Sequence, residues 1–333
     1  MTPQQTRTAQ GLGLVADIGG TNARFVALDR ASGEPVGSVR YASSEPGDSV
    51  QLLRRASADL GIKPHACVLA VAGPVEGSTA RLTNGQLTFD KLALESALAC
   101  PVELINDFVA MSRAVPELVA VSEEHLTAVM GPGTGLGVGF LVPTRGGVKI
   151  CPSEGGHAGF APSDELEQEL LALLRPSHPI LCWENLVSGP GLVTLYEGMC
   201  ALWGADVRWQ CPEDISKHGV AQDLSDSDPI CHKTLEVFMG LLGSAAGNLA
   251  LTLCARGGVF LVGDLLAKLA DVFAASQFRQ RFDAQGVTGE PSAQMLKQIS
   301  TELLTEPDLG LMGATHYAGD LWSEIEVRRL GDG

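Results

Sequence analysis

Clusters of Lys and Arg are missing from this chain, and with 23 basic against 39 acidic side chains its formal charge is −16. A field of that sign repels polyanions, which argues against nucleic acid or an anionic membrane surface as partner. No apolar stretch approaches the roughly 18 residues that a membrane span requires. There is no C-x-x-C pair: the eight cysteines are scattered, most among apolar neighbours as in His65-Ala66-Cys67-Val68-Leu69. They read as buried free thiols in a reducing compartment rather than as disulfides or zinc ligands. The polar first ten residues contain no apolar h-region and read as a loose tail, and the last four, Leu330 to Gly333, carry no peroxisomal or lipidation motif. Cytoplasm is the default expectation. Aromatic residues are scarce at 5%, yet 45% of the 333 residues are hydrophobic, so an aliphatic core is available and disorder is excluded.

What is present is an alternation of apolar strands with helical spacing. Leu12–Ile18 runs into Asp17-Ile18-Gly19-Gly20-Thr21-Asn22, and an apolar pattern resumes over Ala23–Asp29. That order is strand, Gly-rich turn, strand: a hairpin rather than a strand–helix junction. Strands are expected at Val36–Tyr41, Ala66–Ala72 and Val102–Ile105, and helices at Ser49–Leu60 and Lys91–Ala99. The continuous apolar run Ala66–Ala72 predicts a buried parallel strand. The pattern then restarts: Leu126–Met130, the turn Gly131-Pro132-Gly133-Thr134-Gly135-Leu136-Gly137, and Val138–Val142 form a second hairpin. Helices follow at Asp164–Leu174, Gly191–Leu202 and Pro229–Cys254, a strand at Gly258–Gly263 and a last helix at Leu309–Glu326. Gly240, Gly243 and Gly247 share one face of the long helix and predict close packing there. Length and pattern suggest two α/β domains, residues 1–115 and 116–315, with 316–333 available to complete the first.

Glycine-rich turns let backbone N–H groups approach phosphate oxygens. Two such turns, each with a threonine (Thr21 and Thr134), shift the reading from bare hairpins toward a nucleotide. A Walker A loop is excluded because no G-K-[ST] occurs. A dinucleotide fingerprint fails as well, since position 138 is Val and a strand-like run follows. Paired phosphate-holding hairpins point instead to an actin/hexokinase-like ATPase core.

Five segments carry a resemblance: Asp17-Ile-Gly-Gly-Thr-Asn-Ala-Arg24, Ile105-Asn-Asp-Phe108, Gly133-Thr-Gly-Leu-Gly137, Glu154-Gly-Gly-His157 with Phe160-Ala-Pro162, and Ser188-Gly-Pro-Gly-Leu192. In this order they resemble bacterial glucokinase, over about residues 12–315. The chain lacks the C-x-C-G-x-x-G-C zinc motif of the repressor/kinase group. The resemblance implies an actin/hexokinase-like (ribonuclease H-like) α/β fold of two domains with a cleft between them. It also implies transfer of the γ-phosphoryl group of ATP to the 6-hydroxyl of glucose, and a homodimer.

Asp107 is the expected catalytic residue. A sugar hydroxyl is a poor nucleophile, and a carboxylate within hydrogen-bond reach can take its proton as it attacks phosphorus. The competing reading, that Asn106-Asp107 only caps a helix beginning near Phe108, would win without the surrounding motifs. The resemblance makes Asp107 the base and Asn106, Glu154, His157 and Glu184 sugar ligands. It makes Gly19, Gly20, Asn22, Gly133, Gly135 and Gly263 nucleotide-side residues together with Thr21 and Thr134. Asp17 would meet Mg²⁺ through water, with the ion carried on ATP rather than held in a side-chain cage. Pro74, Gly77 and Asn84 match a further sugar-side stretch, and Gly257-Gly258 an adenosine-side one. The chain departs from the family at Gly159, where Asp is usual, and at Asp264, where Gly is usual. A carboxylate at 264 is expected to weaken binding of an anionic nucleotide. Two rival readings remain open: a kinase for another hexose or an amino sugar, and a non-catalytic sugar-binding paralogue.

Overall fold

The computed structural model describes residues 11–331 apart from 21, 44–46, 84 and 222–226, so Thr21, Asn84 and the first ten residues lie outside the described residues. The chain divides into two units. One runs to Ala120 and resumes at Asp308; the other is Val121–Pro307.

The first unit begins with β1 (Leu12–Ile18), β2 (Asn22–Asp29) and β3 (Pro35–Ala42), a meander of antiparallel neighbours. Helix α1 (Ser49–Asp59) leads to β4 (Cys67–Val71), then to a small sheet of β5 (Val75–Glu76), β6 (Thr79–Arg81) and β7 (Thr88–Asp90). Helix α2 (Lys91–Leu98), β8 (Val102–Asn106) and α3 (Asp107–Leu118) follow. The main sheet has the order β3-β2-β1-β4-β8, and β1, β4 and β8 are parallel. Period-2 alternation assigns its faces. Leu14, Ala16, Ile18, Cys67, Leu69 and Val71 pack with Leu53 of α1 and Leu94 of α2. Val15, Val68 and Ala70 face Ala110 of α3 on the other side. With helices on both faces, the central strands must be apolar throughout, which is why they read as continuous runs.

The second unit repeats this topology. β9 (Thr127–Pro132), β10 (Leu136–Thr144) and β11 (Gly147–Ser153) form the meander. Then come α4 (Glu165–Leu174), α5 (Gly189–Trp203), α6 (Pro212–Val220), α7 (Pro229–Leu253), β12 (Val259–Leu261), α8 (Asp264–Lys268), α9 (Ala270–Ala275), α10 (Phe278–Asp283), α11 (Pro291–Gln298) and β13 (Thr301–Leu303). The sheet order β11-β10-β9-β12-β13 matches that of the first unit strand for strand. The chain then returns to the first unit as α12 (Leu309–Gly331), whose Ala314, Ala318 and Trp322 join the face covered by α3.

The longest helix, α7, is apolar and long enough to cross a membrane by composition, contrary to the expectation that no such stretch exists. Yet 72% of its apolar window is buried inside the unit, so it is a core helix. A Cβ on its Gly243 would overlap the backbone oxygen of Phe278, and one on Gly247 would stand 2.7 Å from the oxygen of Phe282. The glycine face therefore seats α10 directly, as its spacing predicts. The strand expected over Gly258–Gly263 shortens to Val259–Leu261. Gly258 (φ +110°) and Gly263 (φ +112°) leave the strand region and end it at both sides. All eight cysteines are free thiols, five of them buried.

Candidate functional site

In the first unit, register gathers the predicted residues at one end of the sheet. Ile18 pairs with Val71, and Val71 with Asn106, so β1, β4 and β8 end level. Ligands of parallel sheets collect beyond such C-terminal strand ends. Asp17, Gly19, Asn22, Asn106 and Asp107 all lie there, and Gly19 N–H donates to Asn22 O at 2.9 Å across the hairpin turn.

The capping reading of Asn106 is observed, and it is compatible with a ligand role. Its Oδ1 accepts from Phe108 N–H at 2.8 Å and Val109 N–H at 3.3 Å, and its Nδ2 donates to Gly73 O at 3.0 Å. One amide hydrogen remains for a ligand. Asp107 opens α3, with Oδ1 accepting from Phe108 N–H at 2.9 Å. Burial first, and then the negative charge of Asp17, push its carboxyl up to about 7 against the lowering effect of hydrogen bonds from the backbone of Phe108 and of Asp107 itself. A carboxyl that gains a proton near neutrality is suited to act as an acid or base there.

Sequence reasoning assigned no role to what surrounds Asp17. Arg24, opposite it in the hairpin register, has Nη1 3.9 Å from Asp17 Oδ2 and pairs with Asp308. At the start of α12, a Cβ on Gly310 would stand 3.1 to 3.2 Å from the Asp17 carboxylate. Arg24 closes the first motif, but a 284-residue separation from Asp308 leaves no local signal for the pair.

In the second unit, Glu154, His157 and Glu184 converge. A 3-10 turn at Gly155–His157 sets His157 Nδ1 3.2 Å from Glu154 Oε2, while its Nε2 stands 3.5 Å from Glu184 Oε1. Glu184 sits on another 3-10 turn, Trp183–Asn185, whose Glu184 carbonyl accepts from Ser188 Oγ at 2.7 Å. Ser188 also caps α5 by accepting from Gly191 N–H at 2.9 Å. Serine ahead of Gly189-Pro190 is a legible cap signal, and it extends that helix back to Gly189. Glu184 is thus no loose surface charge: its side chain is 30% exposed, against 82% for Glu154.

The β9–β10 turn is more committed than expected. Gly133 N–H donates to Gly135 O at 2.8 Å, Gly133 O accepts from Gly189 N–H at 2.7 Å, and Leu136 N–H donates to Glu184 Oε2 at 2.8 Å. Of this turn's donors, Thr134 and Gly135 have no partner among the described residues. Gly263, at the end of β12, lies beside Pro132, whose oxygen would stand 3.2 Å from a Cβ there. Asp264 is exposed at the start of α8. At Gly159 a Cβ would meet no atom within 4 Å, so the fold leaves room for a side chain there. Gly257, by contrast, packs against the backbone oxygens of His125 and Leu126, each 2.8 Å from a Cβ there, and serves the fold. Among the described residues, no group of three or more His, Cys, Asp or Glu converges to hold a metal ion.

Comparison with known proteins fits these geometries. A glucokinase of Caulobacter sp. (strain K31) is 36% identical over 318 residues, covering 91% of this chain and 94% of that protein. The crystal structure of glucokinase from an Antarctic psychrotroph superposes with a TM-score of 0.76 at 34% identity, over 94% of this chain and 99% of that one. A glucokinase from Balamuthia mandrillaris, solved in complex with glucose, shares the fold at a TM-score of 0.76 and 22% identity, over 93% of this chain and 94% of that one. The family model described as Glucokinase matches residues 14–321, a span that contains both sheet ends and every motif above, and the chain therefore belongs to the glucokinase family.

Proposed function

We propose that this protein phosphorylates glucose to glucose 6-phosphate at the expense of ATP. The observation that carries the mechanism is Asp107. It is a carboxyl at a strand end, raised to about 7 by burial and by Asp17, where it can take a proton from an attacking hydroxyl and release it again near neutral pH. In our reading Asp107 accepts the proton of the sugar 6-hydroxyl as that oxygen attacks the γ-phosphorus of ATP. Asn106 donates its remaining amide hydrogen to the sugar. Glu154, His157 and Glu184 hold further hydroxyls, with the imidazole and carboxylates orienting one another. On the nucleotide side we assign Thr134 and Gly135 as N–H donors, and Gly19, Gly20, Thr21, Asn22 and Gly263 as further residues that serve the nucleotide. A Cβ at Gly133 would meet no atom within 4 Å, so folding makes no demand for bare backbone there, whereas a phosphate does.

Mg²⁺ fits this donor set through water on Asp17, because the carboxylate pair Asp17 and Asp107 leaves an excess of negative charge at one sheet end; when bound, the ion neutralises charge on the transferred phosphoryl group. We further propose that the two units are the kinase's two domains, and that it works as a cytoplasmic homodimer.

The test is ATP-dependent ADP release over glucose, mannose, fructose and glucosamine. Glucose is expected to give the highest kcat/KM. A higher value for another sugar favours the rival hexose or amino-sugar kinase, since a single hydroxyl contact decides epimers. Glucose binding without sugar-dependent ADP release would favour a non-catalytic paralogue and reject our reading.

A further inference from the structure

The Gly-rich turn of the second unit is tied to the sugar-side carboxylate as much as to any phosphate. Leu136 N–H is spent on Glu184 Oε2 at 2.8 Å. Gly135 precedes it, and a Cβ there would overlap Glu184 Oε2, with Glu184 Cδ only 3.1 Å away. The next peptide group, Leu136–Gly137, is gripped as well. Gly156, inside the Glu154-Gly-Gly-His157 segment, packs so closely that a Cβ would overlap Leu136 O and stand 3.2 Å from Leu136 C. The two glycine motifs therefore interlock around one residue, Leu136, through the two peptide groups that flank its Cα. His157 approaches Glu184 Oε1 at 3.5 Å while Leu136 N–H holds Oε2. Both carboxylate oxygens are thereby oriented before any ligand arrives.

We infer that Gly135 and the Leu136 N–H are positioning elements for the sugar: the missing side chain at 135 gives Glu184 the space to accept from Leu136, and this fixes the carboxylate that recognises glucose. The inference rests on the sugar role proposed for Glu184. It reassigns Gly135 from a residue that serves only the nucleotide to one that serves the sugar first. A group preorganised by a backbone donor loses less freedom on binding, so the benefit appears in sugar affinity. The same link makes glucose perceptible in the turn that carries Thr134.

The experiment is a double-mutant cycle on the full chain, read by glucose calorimetry and by steady-state kinetics. Gly135→Ala collides with the end of a flexible side chain rather than with backbone, so Glu184 swings away while the hairpin stays. Glucose Kd and KM are expected to rise at least tenfold, with KM for ATP changed less than twofold. In a Glu184→Ala background, Gly135→Ala should weaken glucose by less than a further twofold, because no carboxylate remains to displace. An ATP effect in place of the glucose effect, or an equal glucose loss in both backgrounds, overturns the inference. If the wild type binds glucose but transfers no phosphoryl group, the proposed activity fails, and the calorimetric cycle still decides this point. If the wild type binds no glucose, both fail. Should Gly135→Ala not fold, the Leu136 amide NMR resonance decides instead. It is expected to move on glucose addition in the wild type and to stay in Glu184→Ala, and an amide indifferent to glucose in the wild type overturns the inference.

Discussion

Replacing Asp107 by Asn is expected to stabilise the protein while it abolishes most turnover. The folded carboxyl is raised from 3.8 to about 7, chiefly by burial and then by the charge of Asp17. Between those two pH values the native state keeps a proton that the unfolded chain has released. Stability therefore falls as pH rises through this window and levels off above about 7, at about 1.36 kcal/mol per pH unit and about 4 kcal/mol in full. The side-chain amide of the Asp107→Asn variant carries no charge, matches the shape of the carboxyl and can still accept from Phe108 N–H. The gain over wild type should be about 1–2 kcal/mol at pH 5 and about 4 kcal/mol at pH 8. Scanning calorimetry at both values is the assay; the larger gain corresponds to roughly 8 to 16 °C in the first unit's transition. Turnover should drop about 10²-fold or more, the scale for a lost general base. Affinity for glucose should change much less. An equal stability difference at pH 5 and pH 8 would refute the charge argument, and near-normal turnover would remove Asp107 from its role.

Three other outcomes follow from the same geometry. Because the base must be deprotonated, kcat/KM for glucose should fall as pH drops through about 7, and Asp17→Asn should move that limb to lower pH without returning it to 3.8, since burial is the larger cause; an unmoved limb contradicts the coupling. Gly313→Ala drives a Cβ into the backbone oxygen of Ala110 and to 3.0 Å from the nitrogen of Ala114, so α12 must lift from α3. A loss of about 2–3 kcal/mol is expected in thermal unfolding, and an unchanged midpoint would deny the close helix contact. Asp264→Gly removes an exposed carboxylate, worth about 0.2–1 kcal/mol at most, and should lower KM for ATP by up to about fivefold; an unaltered KM means the side chain points away.

Much of the secondary structure was legible in the chain. Apolar runs at Leu12–Ile18 and 66–72 name strands buried on both faces, and Asp48, Asp90, Asp164 and Asp228 cap helices by accepting from backbone N–H groups where the pattern starts them. Elements of two or three residues, such as β5, β6, β7 and β13, were not legible, because so few residues carry no period. The short helices α8 to α11 escaped for the same reason: from none in α9 to two in α10, Phe278 and Phe282, their buried positions are too few to give a repeating face. The limits of β12 depended on two glycine conformations that composition does not reveal.

The site divides along the same line. The identities of the residues, Asp107 after a buried strand, Glu154 and His157 around a Gly-Gly pair, and Glu184, were available from motifs, because chemistry restricts which side chains can do such work. Local sequence also determined that both Gly-rich segments are hairpin turns, since strand patterns flank each one closely. Only tertiary structure decided which groups meet. Strand register sets Asn106 level with Ile18, Glu184 reaches Leu136 N–H across 48 residues of chain, and Asp308 returns to Arg24. Only tertiary structure decided the ionisation of Asp107 as well, because burial and a second carboxylate set it, and both are properties of neighbours in space rather than in sequence.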